Sequence, residues 1–202
     1  MRRVLIAGLC LLAGTLPSPA RIAAQESTTR GFMLGAHLSG ASLTPEDGDR
    51  SNAGGGGIYF GYGFNRTIQL FLQIDGAEFD VEDAEVQGTW TMGHGDLGVR
   101  FHFANSLRSW VPYLQAALSA RGVAVDDAVI AGSPERDVGF YGGALSIGGG
   151  IMFYFNETLA ADLQLIGSGG RFERIKIDNV TIDGLDFDAT SARVNIGIAW
   201  WP

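Results

Sequence analysis

The sequence predicts an all-β protein, an eight-stranded antiparallel up-and-down transmembrane β-barrel. Three observations support this fold class. Apolar residues alternate with small or polar ones over long segments, the segments between them alternate in length, and the N-terminal residues have the pattern of an export signal. Period-2 alternation over 8–12 residues is typical of long strands that have one face in an apolar medium.

Residues 1–24 are predicted to be a secretory signal peptide. Residues 1–3 are positively charged, residues 4–16 are apolar, and Ala24 is a small residue at the expected cleavage point, with Ala20 as the alternative. The apolar stretch is too short to span a bilayer as a helix. No later segment approaches 18 continuous apolar residues, so a transmembrane helix is not expected elsewhere.

Residues 25–202 are predicted to form one barrel domain. The only cysteine, Cys10, lies within the signal peptide, so an exported fold held by disulfides is excluded.

The first three predicted strands, 30–41, 54–64 and 67–77, each carry one apolar face. These faces consist of Phe32, Leu34, Ala36 and Leu38, then Ile58, Phe60, Tyr62 and Phe64, then Ile68, Leu70, Leu72 and Ile74. Asn65 separates the second strand from the third. Because Asn tolerates a left-handed conformation and bonds the backbone two residues on, a tight turn is expected there.

Strands four and five are predicted at 88–103 and 110–122. In the fourth, Val99, Phe101 and Phe103 alternate with Arg100 and His102.

Strands six to eight are predicted at 138–155, 158–172 and 186–201. Their apolar faces consist of Leu145, Ile147, Ile151, Phe153 and Phe155, then Leu159, Ala161, Leu163 and Leu165, then Val194, Ile196, Ile198 and Trp200. Strands six and seven repeat the hairpin of strands two and three, with Asn156 in a second Phe-Asn-x-Thr turn 91 positions after Asn65.

The connections alternate between short and long. The short ones are 65–66, 104–109 and 156–157, and the long ones are 42–53, 78–87, 123–137 and 173–185. This alternation around an even number of antiparallel strands is typical of outer-membrane barrels.

The apolar face is predicted to contact lipid. The opposite face carries Gly, Gln, Asp and Arg, and the chain has a single lysine, Lys176. The strands are longer than those of soluble sheets, and aromatic residues gather near their ends. The alternative is an exported soluble barrel that binds a lipid in an apolar interior. The direction of Leu70, Leu72, Leu163 and Val194 distinguishes the two.

These features together resemble the small OmpA/OmpX-type outer-membrane β-barrels of Gram-negative bacteria, from about Gly31 to Trp201. The resemblance implies location in the outer membrane. Asn195-x-Gly197-x-x-Trp200 is similar to the C-terminal signal that the barrel assembly machinery reads, although Pro202 stands where another aromatic residue is expected. The implied partners are that machinery, outer-membrane lipids and lipopolysaccharide, and we expect a monomer.

The inward face is predicted to be a packed polar interior, which we favour over a conducting pore. It carries Gln69, Gln73, Asp75, His94, Asp96, Arg100, His102, Gln115, Arg121, Asp162, Gln164, Arg193 and Asn195. Because buried charges need partners, we expect Arg100 and Arg193 to meet Asp96, Asp162 or Asp75.

Acidic residues concentrate in or beside the four long connections. They are Glu46, Asp47, Asp49, Glu78, Asp80, Glu82, Asp83, Glu85, Asp126, Asp127, Glu135, Asp137, Glu173, Asp178, Asp183, Asp186 and Asp188. The net charge of −8 argues against nucleic acid as a partner. These carboxylates are either simply solvated or share divalent cations with lipopolysaccharide phosphates.

No catalytic, cofactor-binding or metal-binding residues are predicted, and the protein is not expected to be an enzyme. His37 and Ser39 resemble the His-x-Ser pair of outer-membrane lipid A deacylases, which is the alternative function. They fall on the parity opposite Leu34, Ala36 and Leu38, so they are expected to point inward unless Gly35 or Gly40 hosts a bulge. The predicted function is a non-enzymatic integral barrel that stabilises the outer membrane and displays acidic extracellular loops.

Overall fold

The computed structural model describes residues 29–46, 50–79, 86–103, 109–130, 136–178 and 180–202. Within them eight antiparallel strands form a closed barrel in sequence order. They are β1 (Gly31–Pro45), β2 (Ser51–Gly63), β3 (Ile68–Phe79), β4 (Val86–His102), β5 (Trp110–Ile130), β6 (Arg136–Tyr154), β7 (Leu159–Ile177) and β8 (Val180–Trp200). The predicted fold class is confirmed. The predicted signal peptide, residues 1–24, lies outside the described residues.

No helix in the described ranges is both long enough and apolar enough to cross a membrane.

The strands are tilted because the ring closes with a stagger. Following the register from Leu34 through each neighbouring strand returns to β1 at Thr44, ten positions farther along. The path passes Phe60, Leu72, Leu97, Leu118, Leu145, Gly169 and Thr190. Such a stagger over eight strands goes with a tilt of roughly 35–45° and an interior just wide enough to be filled by side chains.

The two ends of the barrel differ. At the lower end, where short turns join β2 to β3 and β6 to β7, Asn65 Oδ1 accepts hydrogen bonds from the backbone N–H of Thr67 (2.8 Å) and Ile68 (2.9 Å). Asn156 Oδ1 does the same for Thr158 (2.9 Å) and Leu159 (2.8 Å). The two copies of the turn therefore share one geometry, as the repeated motif predicted.

At the upper end the predicted long loops are wrong in extent. The strands continue through much of the segments 42–53, 78–87, 123–137 and 173–185, and in the last of these β7 ends only at Ile177 and β8 begins at Val180. Eight of the acidic residues predicted to lie in or beside the long loops are on strands: Glu78, Asp126, Asp127, Asp137, Glu173, Asp183, Asp186 and Asp188. The backbone ladder therefore continues beyond the residues in which apolar alternation can be read. The alternation stops there because both faces of a strand meet water above the lipid.

Irregular pairing is confined to the upper half of the barrel. Register shifts occur between Gln87 and Thr89, within Val125–Ala128, and beside Phe172. Bulges of this kind bend a strand and re-aim its side chains. Below them the ladder is regular, so the inward and outward parity predicted from the sequence is kept.

The outward face is an apolar belt. The four diagnostic residues point outward, with Leu70 42%, Leu72 43%, Leu163 43% and Val194 47% exposed. Aromatic pairs reinforce its lower edge, among them Tyr62 with Phe64 and Phe101 with Phe103. Since bulky apolar side chains cover the outside and buried charged and polar side chains occupy the middle of the lumen, the alternative of a soluble barrel with an apolar interior is wrong.

Candidate functional site

The lumen contains the predicted polar residues. All thirteen are buried, from Gln69 on β3 to Asn195 on β8. Most of them occupy a layer in the middle of the barrel, where the tilted strands bring residues distant in sequence into contact, whereas His102 lies at the lower end of β4 against Tyr113.

Arg193 forms the centre of the upper part of this layer. Its guanidinium pairs with Asp75 and, through Nη2, with Asp96 Oδ2 at 2.6 Å. Asp75 also accepts a hydrogen bond from Gln73 Nε2 (3.0 Å to Oδ2). The predicted pairing of Arg193 with Asp75 or Asp96 is confirmed.

Arg100 forms the centre of the lower part, and it is fully buried. It donates a hydrogen bond from Nε to Gln115 Oε1 (2.9 Å), and its Nη1 lies 3.6 Å from Asp162 Oδ2. Asp162 in turn accepts hydrogen bonds from the hydroxyls of Tyr59 (3.0 Å) and Tyr113 (2.8 Å). The predicted ion pair is confirmed.

The sequence analysis did not single out the aromatic partners of Arg100. The guanidinium carbon lies 4.9 Å from the ring centres of Tyr59 and Tyr113 and 4.7 Å from that of Phe71. Rings at this distance attract a cation through their quadrupole. All three occupy inward positions, so strand parity was the signal that could have found them.

A chain of buried hydroxyls was also missed. Ser119 and Ser146 lie 2.5 Å apart, Ser146 and Ser168 lie 2.7 Å apart, and Arg193 Nη2 donates to Ser168 Oγ at 3.4 Å. The serines come from β5, β6 and β7, and only the register places them side by side.

Apolar clusters bracket the polar layer at both ends. The lower cluster consists of Met33, Tyr59, Val111, Tyr113, Met152, Tyr154, Ala160, Ala199 and Trp201. The upper one consists of Ala41, Leu43, Phe79, Met92, Val123, Phe172 and Ala189. The charged centre is thus packed between two apolar layers, which favours the predicted packed interior over a pore.

His37 and Ser39 lie inside this interior, only 6% and 7% exposed. The β1 ladder runs without a register shift on both sides, so neither Gly35 nor Gly40 hosts a bulge. His37 Nε2 lies 2.5 Å from Asp75 Oδ1, which supplies the acidic partner that a hydrolase would need. His37 Nδ1 and Ser39 Oγ have no hydrogen-bond partner among the described residues.

The upper outer surface carries exposed ion pairs. Arg171 Nε donates to Asp188 Oδ1 at 2.8 Å and its Nη1 lies 3.3 Å from Asp186 Oδ1, while Arg174 Nε lies 3.6 Å from Asp183 Oδ1. Within the described ranges no group of three or more His, Cys, Asp or Glu side chains is arranged to hold a metal ion.

Comparison with solved structures identifies proteins of the same fold. Neisserial surface protein A is similar with a TM-score of 0.63 and 16% identity, over 84% of this chain and 96% of that chain. Ail, the attachment invasion locus protein of Yersinia pestis, has a TM-score of 0.54 and 11% identity, over 85% and 99%. The outer membrane protein OprG from Pseudomonas aeruginosa has a TM-score of 0.53 and 11% identity, over 88% and 97%.

No model of a known protein family matches the sequence, and comparison with curated protein sequences finds no match. The likeness to small outer-membrane β-barrels therefore rests on the fold, where the predicted resemblance is confirmed. The lipid-facing belt and this fold together place the chain in the outer membrane, as predicted.

Proposed function

We propose that this integral barrel is a non-enzymatic, monomeric protein that stabilises the outer membrane and presents an acidic extracellular surface. The observation that carries the proposal is the filled interior. The buried charges of Arg100, Arg193, Asp75, Asp96 and Asp162 pair with one another, and apolar clusters lie above and below them. Such an interior supports a structural role better than transport or catalysis.

The orientation follows from the connections. Outer-membrane barrels have tight periplasmic turns and longer outer segments. The lower end with the turns at Asn65 and Asn156 then faces the periplasm, and the upper end with its acidic strand extensions faces outward. Carboxylates there are suited to share divalent cations with lipopolysaccharide phosphates.

Fractionation tests the membrane assignment. The chain expressed in a Gram-negative host is expected to stay in the outer-membrane fraction after carbonate washing. It should also migrate differently on a gel before and after boiling, because the closed ladder resists detergent at room temperature. Recovery in the soluble periplasmic fraction would contradict the proposal.

Permeability tests the stabilising role. Deletion of the gene in the bacterium that encodes it should raise the uptake of a hydrophobic dye and the sensitivity to detergent. Wild-type protein and a Ser39→Ala variant should restore the barrier equally, since no catalytic role is assigned to Ser39. Unchanged permeability in the deletion strain would exclude the stabilising role.

A lipid A deacylase is the second candidate, because His37 has an acidic partner in Asp75. Lipid reaches neither His37 nor Ser39 while both point into the packed lumen, so we expect no deacylation. The measurement is mass spectrometry of lipid A from a Gram-negative host that expresses the chain. A deacylated product that is lost in Ser39→Ala would establish the enzyme and overturn the structural role.

A further inference from the structure

A groove of about 840 Å³ crosses the outward surface from β3 to β7, in the upper part of the apolar belt. Its floor is formed by Gly93, Gly95, Ala120, Gly122 and Gly143. Ile74 on β3 and Tyr141 on β6 stand at its sides, and Glu173 and Arg174 on β7 lie at its charged end. Asp75, His94, Ser119 and Arg121 also border the groove, but they are buried inward residues. The outward residues of the groove are therefore mostly apolar, with charges at one end.

The fold does not require glycine at three of the four floor glycines. A Cβ atom added at Gly95 or Gly143 would meet nothing within 4 Å, and one at Gly93 would meet a single atom at 3.9 Å. Inward glycines differ, because a Cβ at Gly150 would collide with the Tyr113 side chain and one at Gly57 with Asp75. Glycine within a strand lowers stability. The open floor therefore costs stability without serving the barrel's own packing, and it leaves room for a molecule outside the barrel.

Tyr141 marks the boundary between the apolar groove and a polar hollow above it. Its ring lies over Gly122 and Gly139, where an added Cβ would come within 2.8–3.2 Å of ring atoms. The hollow, of about 440 Å³, is lined by Tyr141, Lys176, Asp126, Asp137 and Asp178, among others. A tyrosine at the junction of an apolar and a polar surface is typical of the membrane interface.

Two cations face outward at this boundary. In the β6–β7 ladder Arg174 lies opposite Tyr141, and Lys176 lies opposite Gly139, two residues higher. Arg174 is 61% exposed in its side chain, and its contact with Asp183 is a long one at 3.6 Å. Both cations remain accessible to an anion that approaches from the lipid side.

We propose that the groove and the hollow together bind one phosphorylated glycolipid of the outer leaflet. An acyl chain lies along the glycine floor, and a phosphate meets Arg174 and Lys176. The sugar hydroxyls donate hydrogen bonds to carboxylates of the hollow. This inference rests on the proposed function, since it needs the upper end in the outer leaflet.

The carboxylates favour a glycolipid over a phospholipid. Asp126, Asp137 and Asp178 line the hollow, and among the described residues they form no metal-binding group. Carboxylates are acceptors only, and sugar hydroxyls are donors that match them. A phosphatidylglycerol headgroup offers two hydroxyls at most, so it satisfies this surface less well than a sugar does.

Binding of lipid A that carries its phosphates, measured by native mass spectrometry on the full barrel in detergent, tests the proposal. The wild type should bind one molecule in preference to dephosphorylated lipid A and to phosphatidylglycerol. Filling the groove with the pair Gly95→Leu and Gly143→Leu should weaken binding by about tenfold or more. The pair Arg174→Gln and Lys176→Gln should weaken it by a similar factor and remove the preference for phosphate.

Matched controls separate the site from general effects. Gly169→Leu adds the same side chain to an outward glycine of β7 with nothing within 4 Å, outside the groove. Arg30→Gln removes an exposed charge at the lower end. Both controls should bind like the wild type, and heat-dependent gel migration verifies that each variant is folded.

Three results would overturn the proposal. They are groove variants that bind like the wild type, controls that lose as much affinity as the groove variants, and equal binding of phosphatidylglycerol. The charge variants alter only exposed side chains, so they decide the question even if the leucine variants do not fold. Because this binding is measured on purified protein, its failure is distinguishable from an unchanged barrier in the deletion strain.

Discussion

Replacing Asp75 by asparagine is expected to lower the free energy of unfolding by about 3–5 kcal/mol. Asp75 pairs with Arg193 and His37 in a part of the lumen where the side chains are at most 4% exposed. Asparagine keeps the shape but removes the charge, and Arg193 is left with Asp96 alone. A buried guanidinium that loses half of its counter-charge has no water to compensate it.

The measurement is urea unfolding of the barrel refolded into lipid vesicles, followed by tryptophan fluorescence and gel migration. Asp183→Asn is the matched control, because the pair of Asp183 with Arg174 is exposed and is expected to contribute about 0–1 kcal/mol. If both variants lost the same small amount, the lumen network would not hold the barrel together.

The interior was largely predictable because strand parity is a local property. Arg193 alternates with Val194, so an outward Val194 requires an inward Arg193 wherever the strand is regular. Charge then narrows the choice of partners for Arg193, since few carboxylates share the inward parity. The sequence could not decide between Asp75 and Asp96, and the structure shows that Arg193 contacts both.

Contacts that depend on the stagger of the strands could not be predicted from the sequence. His37 and Asp75 are 38 positions apart and meet across β2, which separates their strands. The contact needs Gly57 between them, where a Cβ would meet both side chains. Nothing in the local pattern of β1 or β3 specifies this alignment, because it depends on the register of three strands at once.

The predicted strand ends at the upper rim were wrong for another reason. The segment 173–185 looks like a loop because it is polar and its apolar alternation is broken. The break is a bulge beside Phe172, after which β7 continues to Ile177 in a hairpin with β8. Alternation reports the medium on each side of a strand, and it stops being informative where both sides meet water.

Replacing Leu163 by arginine is expected to lower the free energy of unfolding by about 2–4 kcal/mol, as a charge near the bilayer midplane does in such barrels. Leu163 lies on the regular part of β7, pairs with Ile151 and Ile196, and points outward. Its neighbours on both strands are apolar, so an arginine there must reach the interface along its own length or remain in hydrocarbon.

Ile182→Arg is the matched control. Ile182 has a similar exposed fraction, 49% against 43% for Leu163, but it lies near the tip of the β7–β8 hairpin. Above the membrane the same substitution should cost about 0–1 kcal/mol. Unfolding the two variants in vesicles therefore compares the loss of stability at two sites of similar exposure, one facing lipid and one facing water. Equal losses would show that Leu163 does not face hydrocarbon. Two sites of similar exposure that both faced water should lose the same amount.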